Sequence, residues 1–483
     1  MYPKNGQNFR RRSVRKVKYA ILGAGTSGLT ALGIIRKQTE DFVIINGGPL
    51  GTTCARVGCM PSKAMIQSAN LNYKKHKLSE FGIQGGESLE VDTVRVLQRV
   101  RELRDRFTSG VKSGTTETLN PEQFIDGYAK FVGKNQLEVN GELIEAEKVI
   151  IATGSRPVIP VPWQVLEDRL ITSDEIFELE TLPKRVAVVG LGIIGLELGQ
   201  ALSRLGVEVV GFEMQNTVGG LSSPEVIAKA VELFSKEFPI YLGATAQLEK
   251  TAEGVKVSID DKAFEVDVVL AALGRRPNID GLQLEQAGVK LDDRGMPSFN
   301  INTMQIEDKP LFIAGDVNVF RPILHEAGHE GKIATLNAMD YPLVTAYKRK
   351  TPLGIAFTDP DIGFFGESYR NLNRQEVEVV NFNLERNNGR AIVMAEDHGV
   401  ISLYADKSTK QLIGGEILMP HAEHFTHLLA WAVEQNMTVL ELIKMPFYHP
   451  VLEEAIQSAL YLLYKALYTE VERGIKTELT VMQ

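Results

Sequence analysis

The chain has 483 residues, 44% of them hydrophobic, and a net charge of −8 from 61 acidic and 53 basic residues. That length predicts about three domains with enough apolar content for real cores, and the acidic balance argues against nucleic acid as a main partner. No apolar stretch reaches the roughly 18 residues that span a bilayer, no secretory leader is evident, and two cysteines cannot staple a protein of this size, so a cytoplasmic, reducing setting is expected.

The first 18 residues carry Lys4, Arg10, Arg11, Arg12, Arg15, Lys16 and Lys18 and no acid. A disordered basic tail is expected there, with an organellar targeting segment as the alternative. Residues 19–22 are an apolar run that predicts a strand, leading into GAGTSG, with Gly23, Gly25 and Gly28, and then LTALGIIRK at helical period. Strand before and helix after give the glycines their three tasks of tight turn, close approach to a pyrophosphate and helix packing. The anion site is the helix N-terminus. About twenty residues on, where a ribose-holding side chain is expected, Asn46 ends FVIIN and offers hydrogen bonds without charge.

Residues 51–63, GTTCARVGCMPSK, contain both cysteines of the chain, Cys54 and Cys59, followed by Pro61, Ser62 and Lys63. A five-residue offset at a helix start brings two sulfurs close enough for a strained, reducible disulfide, which points to redox work. A zinc reading needs about four ligands, and nothing beside the pair supplies two more. Two small buried hydrophobes are the plain alternative.

The glycine pattern recurs. Residues 186–189, VAVV, lead into GLGIIG, with Gly190, Gly192 and Gly195, and then LELGQALSRLG. Here Glu213 ends the strand VEVVGFE, and no lysine or arginine follows until Lys229. A carboxylate accepts from ribose hydroxyls and repels a 2′-phosphate, so this copy should prefer NAD over NADP. Turn-rich residues 156–163 and 181–185 mark the entry to this module, and 275–278 its exit. A last domain starts at 345–354 and reads as an antiparallel sheet flanked by helices, with IAFTDPDIGFFGES, VEVVNFNL and AIVMAE as strand segments. Within it, His421, His424 and His427 invite a metal reading, but their spacing places the outer two about 120° apart on a helix, poorly converged for one ion. A solvated helix edge is the better expectation, and no metal is predicted. His449, followed by Pro450 and, five residues after the histidine, by Glu454, has the makings of a proton acceptor with an orienting carboxylate. A closing helix over 451–468 would place Leu452, Ala455, Ile456, Ala459, Leu460 and Leu463 on one face.

With these motifs in this order, the chain resembles the class I, flavin-dependent pyridine nucleotide–disulfide oxidoreductases over roughly residues 18–470, and within them most closely the dihydrolipoamide dehydrogenases. The resemblance implies an α/β fold with two Rossmann-like dinucleotide-binding domains, for FAD and NAD, plus a C-terminal α+β dimerisation domain. The implied boundaries are a basic tail at 1–18, an FAD-binding domain at 19–155 and 277–345, an NAD-binding domain at 156–276 and an interface domain at 346–483. By the same resemblance the first fingerprint holds FAD and the second NAD. IIATGSRP with Gly154 and LAALGRRPN with Gly274 resemble the passages between the two domains, and Gly315–Asp316 the second FAD motif, whose aspartate contacts the ribityl chain. Cys59 would face the flavin and Cys54 would exchange with a thiol substrate. Lys63 and Glu197 would pair beside flavin N5, although an ordinary surface pair is the plain alternative. His449 and Glu454 would serve the disulfide of the other subunit of a homodimer.

Three departures from the family pattern stand out. FYHP replaces HAHP, GTTC replaces GGTC, and Asn46 replaces a glutamate. None removes a reacting group. The expected function is oxidation of a small dithiol, dihydrolipoamide or a lipoyl domain, with NAD through Cys54–Cys59 and FAD. The alternatives are NADH-dependent reduction of another low-molecular-weight disulfide, or a flavin-bearing redox sensor without turnover. Mercuric reduction would require a further C-terminal cysteine pair, and Glu213 disfavours the NADPH that glutathione reduction uses.

Overall fold

A computed structural model describes residues 14–243, 245–470, 472, 473 and 479. The chain divides into two compact units, the first made of Met1–Pro61, Glu102–Val158 and Arg275–Arg349, the second of Ser62–Arg101, Ile159–Gly274 and Lys350–Gln483.

In the first unit the central strand is Val14–Leu22, which begins five residues earlier than the predicted tail boundary. The reason lies in the partner strand Glu142–Ile151, where Glu142 and Glu145 receive Arg15 at 3.9 Å and Lys16 at 3.2 Å. Basic residues that read as tail are thus neutralised across a parallel ladder. Lys4 and Arg10 to Arg12 lie outside the described residues. The sheet runs Phe124–Asp126, Phe42–Asn46, Val14–Leu22, Glu142–Ile151, Gln136–Val139, Lys130–Gly133, and Leu311–Ile313 pairs with the distal half of Glu142–Ile151. Its inner strands are apolar on both faces, as a covered parallel sheet requires. Leu22, Ile45, Ile151 and Ile313 point into one cluster; Ile21, Ile44, Ile150 and Phe312 point into another, with Leu32, Ile35 and Ile333 from the helices Thr26–Ile35 and Leu324–Asp340. Those helices touch because Gly331 is bare: a Cβ there would lie 2.7 Å from the Ser27 carbonyl oxygen. The Ser27 hydroxyl donates to Ala327 O at 2.9 Å across the same seam.

The second unit repeats the first design. Its parallel sheet runs Ile240–Leu242, Glu208–Glu213, Arg185–Val189, Val268–Ala271, Leu170–Ile171, with the helix Ile193–Arg204 following the central strand. An antiparallel meander of Gln247–Lys250, Val255–Ile259 and Lys262–Val266, which the sequence reading did not separate, packs Val255, Val257 and Val266 against it. The C-terminal sheet is antiparallel, in the order Leu353–Ala356, Asp361–Gly366, Leu412–Met419, Val400–Asp406, Val377–Asn383. Residues 391–396, read as a strand, are instead the end of a short helix, Gly389–Val393, and the turn after it. Asn388 decides this by capping the helix, its side chain accepting from Ala391 N at 2.9 Å. The closing helix is Glu454–Leu467, shorter than expected at its start, with Ala455, Ile456, Ala459, Leu460 and Leu463 buried as the stripe predicts. No helix among the described residues is long and apolar enough to cross a membrane.

Candidate functional site

The two glycine loops are built alike. Gly23 and Gly190 have φ of +104° and +92°, and a Cβ on either would strike a carbonyl oxygen, that of Ala152 and of Ala272 respectively. A Cβ on Gly28 or Gly195 would collide with the carbonyl of Gly23 or Gly190, which is why strand and helix can turn so tightly. Gly25 and Gly192 are the N-caps of the following helices; neither offers a side-chain cap, and neither helix has an acid in its first turn. The exposed donors and the positive helix end therefore await an anion in both copies. Asn46 and Glu213 occupy equivalent places. Asn46 Oδ1 accepts from Ala24 N at 2.9 Å, and Glu213 Oε2 accepts from Leu191 N at 2.8 Å. Each ties its strand end to the residue after the first glycine. Asn46 also donates to Gly48 O at 3.0 Å, while Glu213 Oε1 accepts from Gln215 N at 2.9 Å, so the neutral and charged versions are held by different second partners.

In the first unit, Gly315 has φ +82° and its N–H donates to Glu330 Oε2 at 2.7 Å. Asp316 Oδ2 accepts from the Ser155 hydroxyl at 3.0 Å, and Ser155 in turn accepts from Arg275 Nε at 3.0 Å. Gly154, φ +68°, leads into that serine, and its carbonyl accepts from Asn278 N at 2.9 Å. Glu330 is a residue that motif reading missed. It is fully buried, and it also accepts from Asn318 Nδ2 at 2.7 Å and from Arg349 at 2.6 Å. Burial pushes its carboxyl above the ordinary range despite those donors. Burial also works against the charge of Glu326 four residues earlier, but Arg349 and Arg321 together hold that carboxyl below the ordinary range. Two acids one helical turn apart, among other polar positions of the helix Leu324–Asp340, were the faint signal available.

The redox segment begins at Thr52, whose φ of +66° lies where glycine is favoured and a β-branched residue is strained. Its hydroxyl accepts from Ala55 N at 3.2 Å, capping the short helix Thr53–Arg56. Cys54 is half-buried on that helix, and Cys59 is exposed as the first residue of the helix Cys59–Tyr73. A thiolate at Cys59 would sit at the positive end of fifteen aligned peptides. Between them, Arg56 Nε is buried without a partner among the described residues. Cys54 opens on a groove of about 790 Å³ in the first unit, walled by Leu29, Met60, Phe107, Val111 and Leu324, and Cys59 is absent from its lining.

In the second unit, Lys63 Nζ donates to both oxygens of Glu197, at 3.0 and 2.8 Å. Glu197 is 4% exposed and also accepts from Phe357 N at 2.7 Å, and the ammonium stands 4.6 Å from the Phe357 ring centroid. The pair thus has a buried carboxylate and a partly exposed ammonium. Gly274, φ +89°, follows the strand Val268–Ala271. His449 is highly exposed, with Nδ1 3.0 Å from Glu454 Oε1, and Glu454 Oε2 accepts from Val451 N at 3.1 Å. That hydrogen bond to His449 holds the Glu454 carboxyl below its ordinary range. His427 Nδ1 lies 2.6 Å from Glu423 O, and His421 and His424 stack at 6.5 Å. Among the described residues no group of three or more histidines, cysteines and acids is placed to hold a metal ion.

Two anion-ready helix starts tied to ribose-length side chains, and a cysteine pair with one member at a groove, define a dinucleotide-dependent thiol oxidoreductase. The chain belongs to the pyridine nucleotide-disulphide oxidoreductases: residues 17–336 match that family and residues 353–460 match its dimerisation domain. Its cofactors are FAD and NAD(H). The dihydrolipoyl dehydrogenase of Geobacillus stearothermophilus is 30% identical over 451 residues, 91% of this chain and 94% of that protein. The dihydrolipoyl dehydrogenase of Chlamydia pneumoniae is 28% identical over 444 residues, 90% of this chain and 94% of that protein. Among solved structures, LpdA of Mycobacterium tuberculosis superposes with a TM-score of 0.80 at 24% identity, over 92% of this chain and 99% of that one. The HOCl-induced flavoprotein disulfide reductase RclA of Escherichia coli superposes with a TM-score of 0.79 at 21% identity, over 92% and 99%. These last two likenesses are of fold.

Proposed function

We propose that the protein oxidises dihydrolipoamide, free or on a lipoyl domain, with NAD. The observation that carries this is that Cys54, and not Cys59, lines the groove, so one thiol meets the substrate while its partner stands at a helix N-terminus. The residues fit the cofactors: both capless glycine loops offer N–H donors, and Arg56 Nε is a buried donor without a protein acceptor among the described residues. FAD would be held by Gly23, Gly25, Gly28, Asn46, Gly154, Gly315 and Asp316, in a module of residues 19–155 and 277–345. NAD would be held by Gly190, Gly192, Gly195, Glu213 and Gly274, in residues 156–276. Residues 346–483 form the interface of a homodimer, in a cytoplasmic enzyme.

In the reaction, His449 of the partner subunit takes the proton of a substrate thiol, and Glu454 stabilises the imidazolium through Nδ1. The substrate thiolate attacks Cys54 Sγ, the Cys54–Cys59 bond breaks, and Cys59 leaves as a thiolate. The second substrate thiol then attacks the mixed disulfide, releasing oxidised lipoamide and Cys54 as a thiol. FAD, when bound, relays the two electrons of the dithiol pair to NAD, so that dithiol and NAD become disulfide, NADH and a proton. Lys63 and Glu197, a fixed charge pair, would tune the flavin electrostatically when it is bound. Because each exchange is reversible, the same groove supports NADH-dependent reduction of a small disulfide.

The test is steady-state NAD reduction by dihydrolipoamide with flavin-loaded protein, beside Cys59→Ser and His449→Gln and with NADP as control. Turnover with NAD that both substitutions abolish is expected. A bound flavin that NADH reduces, with no dithiol turnover, would sink the dihydrolipoamide reading.

A further inference from the structure

The groove at Cys54 has a lining that its thiol chemistry does not explain. The helix Thr93–Gly114 presents Arg106, Phe107, Gly110, Val111 and Gly114 to it, positions at the spacing of one helical face. Phe107 and Val111 make an apolar wall. A Cβ on Gly110 or Gly114 would meet nothing within 4 Å, so the glycines leave space instead of serving a close contact. Glycine inside a helix of 22 residues is intrinsically unfavourable by about 1 kcal/mol against alanine, and no packing among the described residues accounts for Gly110. Arg106 is the only charged residue in the lining among the described residues. It is exposed, and it has no ion pair or hydrogen bond among the described residues, whereas Arg104 on the same helix is engaged by Asp105 at 2.8 Å. An apolar channel of this volume, with a reactive sulfur and a single unmatched guanidinium, is complementary to an aliphatic body carrying a sulfur pair and an anionic end.

We propose that Arg106 is a specificity-determining residue for the anionic end of a small dithiol or disulfide substrate, with a carboxylate on an aliphatic body as the matching chemistry. Gly110 and Gly114 keep room for that body. The inference rests on the reading of Cys54 as the substrate-facing thiol; dihydrolipoamide remains a substrate on that reading, and the free acid, which carries the carboxylate, is the better one. Guanidinium and carboxylate pair through two parallel N–H···O bonds, a geometry that an amide cannot reproduce. Because Arg106 stands in solvent, the gain is modest and sensitive to salt.

The experiment compares dihydrolipoate, which ends in a carboxylate, with its neutral amide, using holoenzyme and NAD. The wild type is expected to favour the carboxylate in kcat/KM by about two- to fivefold at low salt, the range of an exposed ion pair, through KM more than kcat. In Arg106→Gln that ratio falls to near one, and 0.5 M salt moves the wild-type ratio the same way. Gly110→Leu raises KM for both dithiols, while its thermal midpoint with flavin bound stays at or above wild type, which separates a filled groove from a misfolded chain. An unchanged carboxylate-to-amide ratio in Arg106→Gln overturns the proposal and leaves the dithiol reading standing. No turnover of either dithiol by wild type overturns both.

Discussion

Lys63 and Glu197 show how much a single pair can carry. With Glu197 4% exposed and both of its oxygens occupied by the ammonium, Lys63→Met strands a buried carboxylate, at a cost of about 3–5 kcal/mol. The double variant Lys63→Met/Glu197→Leu removes the unpaired charge, so a double-mutant cycle by denaturant unfolding should show it less destabilised than Lys63→Met alone. Thr52 poses the opposite problem, a residue in a backbone conformation that disfavours it. A strained φ costs about 1–3 kcal/mol, whereas exchanging a threonine cap for glycine costs only a few tenths. Alanine keeps the strain and loses the cap. Thr52→Gly should therefore be more stable than Thr52→Ala by at least about 1 kcal/mol in thermal unfolding, even after the larger backbone entropy of glycine is counted.

At the scale of elements, the two nucleotide loops were legible because their signals are local. Apolar strand, glycine spacing and helical period lie within about twenty residues, and the side chain that closes the loop falls at the same offset in both copies, Asn46 to Ala24 and Glu213 to Leu191. Since Glu213 is held by Leu191 N and Gln215 N, its carboxylate is fixed at the strand end; Glu213→Arg should raise the NADPH-to-NADH ratio of kcat/KM by at least tenfold. Signals that act across the chain were not legible. The Glu330–Arg349 pair joins residues nineteen apart with no motif between them, and the acid looks like any polar helix position until burial is known. Residues 391–396 misled for a simpler reason, because Ala-Ile-Val reads as strand by composition, yet the cap at Asn388 commits the backbone first. The early start of the strand at Val14 was hidden likewise, since its arginine and lysine find their charge partners in Glu142 and Glu145, far along the chain.

At the scale of the whole molecule, a site shared between subunits has a distinctive signature. If His449 serves the disulfide of the partner subunit as proposed, Cys54→Ser and His449→Gln should each be inactive alone, yet a mixed dimer of the two would contain one complete site and should regain activity. Within one chain the two defects could not complement, so an inactive mixed dimer would place His449 with its own disulfide. A second global property is acid balance in the C-terminal sheet. Burial, with Glu423 and Asp359 nearby, pushes the Asp361 carboxyl up to about 8. A carboxyl with a higher pKa folded than unfolded supports folding only while protonated, so its contribution is present below about pH 4 and is lost as pH rises towards 8. Asp361→Asn should then raise the thermal midpoint more at pH 8 than at pH 4; an equal shift at both would show that the acid is already ionised. Finally, the sheet of the first unit is not complete until Leu311–Ile313 pairs with Glu142–Ile151, and Gly315 is fixed by Glu330 and Arg349 later still. A chain emerging from the ribosome must therefore hold its first two-thirds without this frame finished, and flavin capture by the proposed cradle would become a late checkpoint that a truncated product fails.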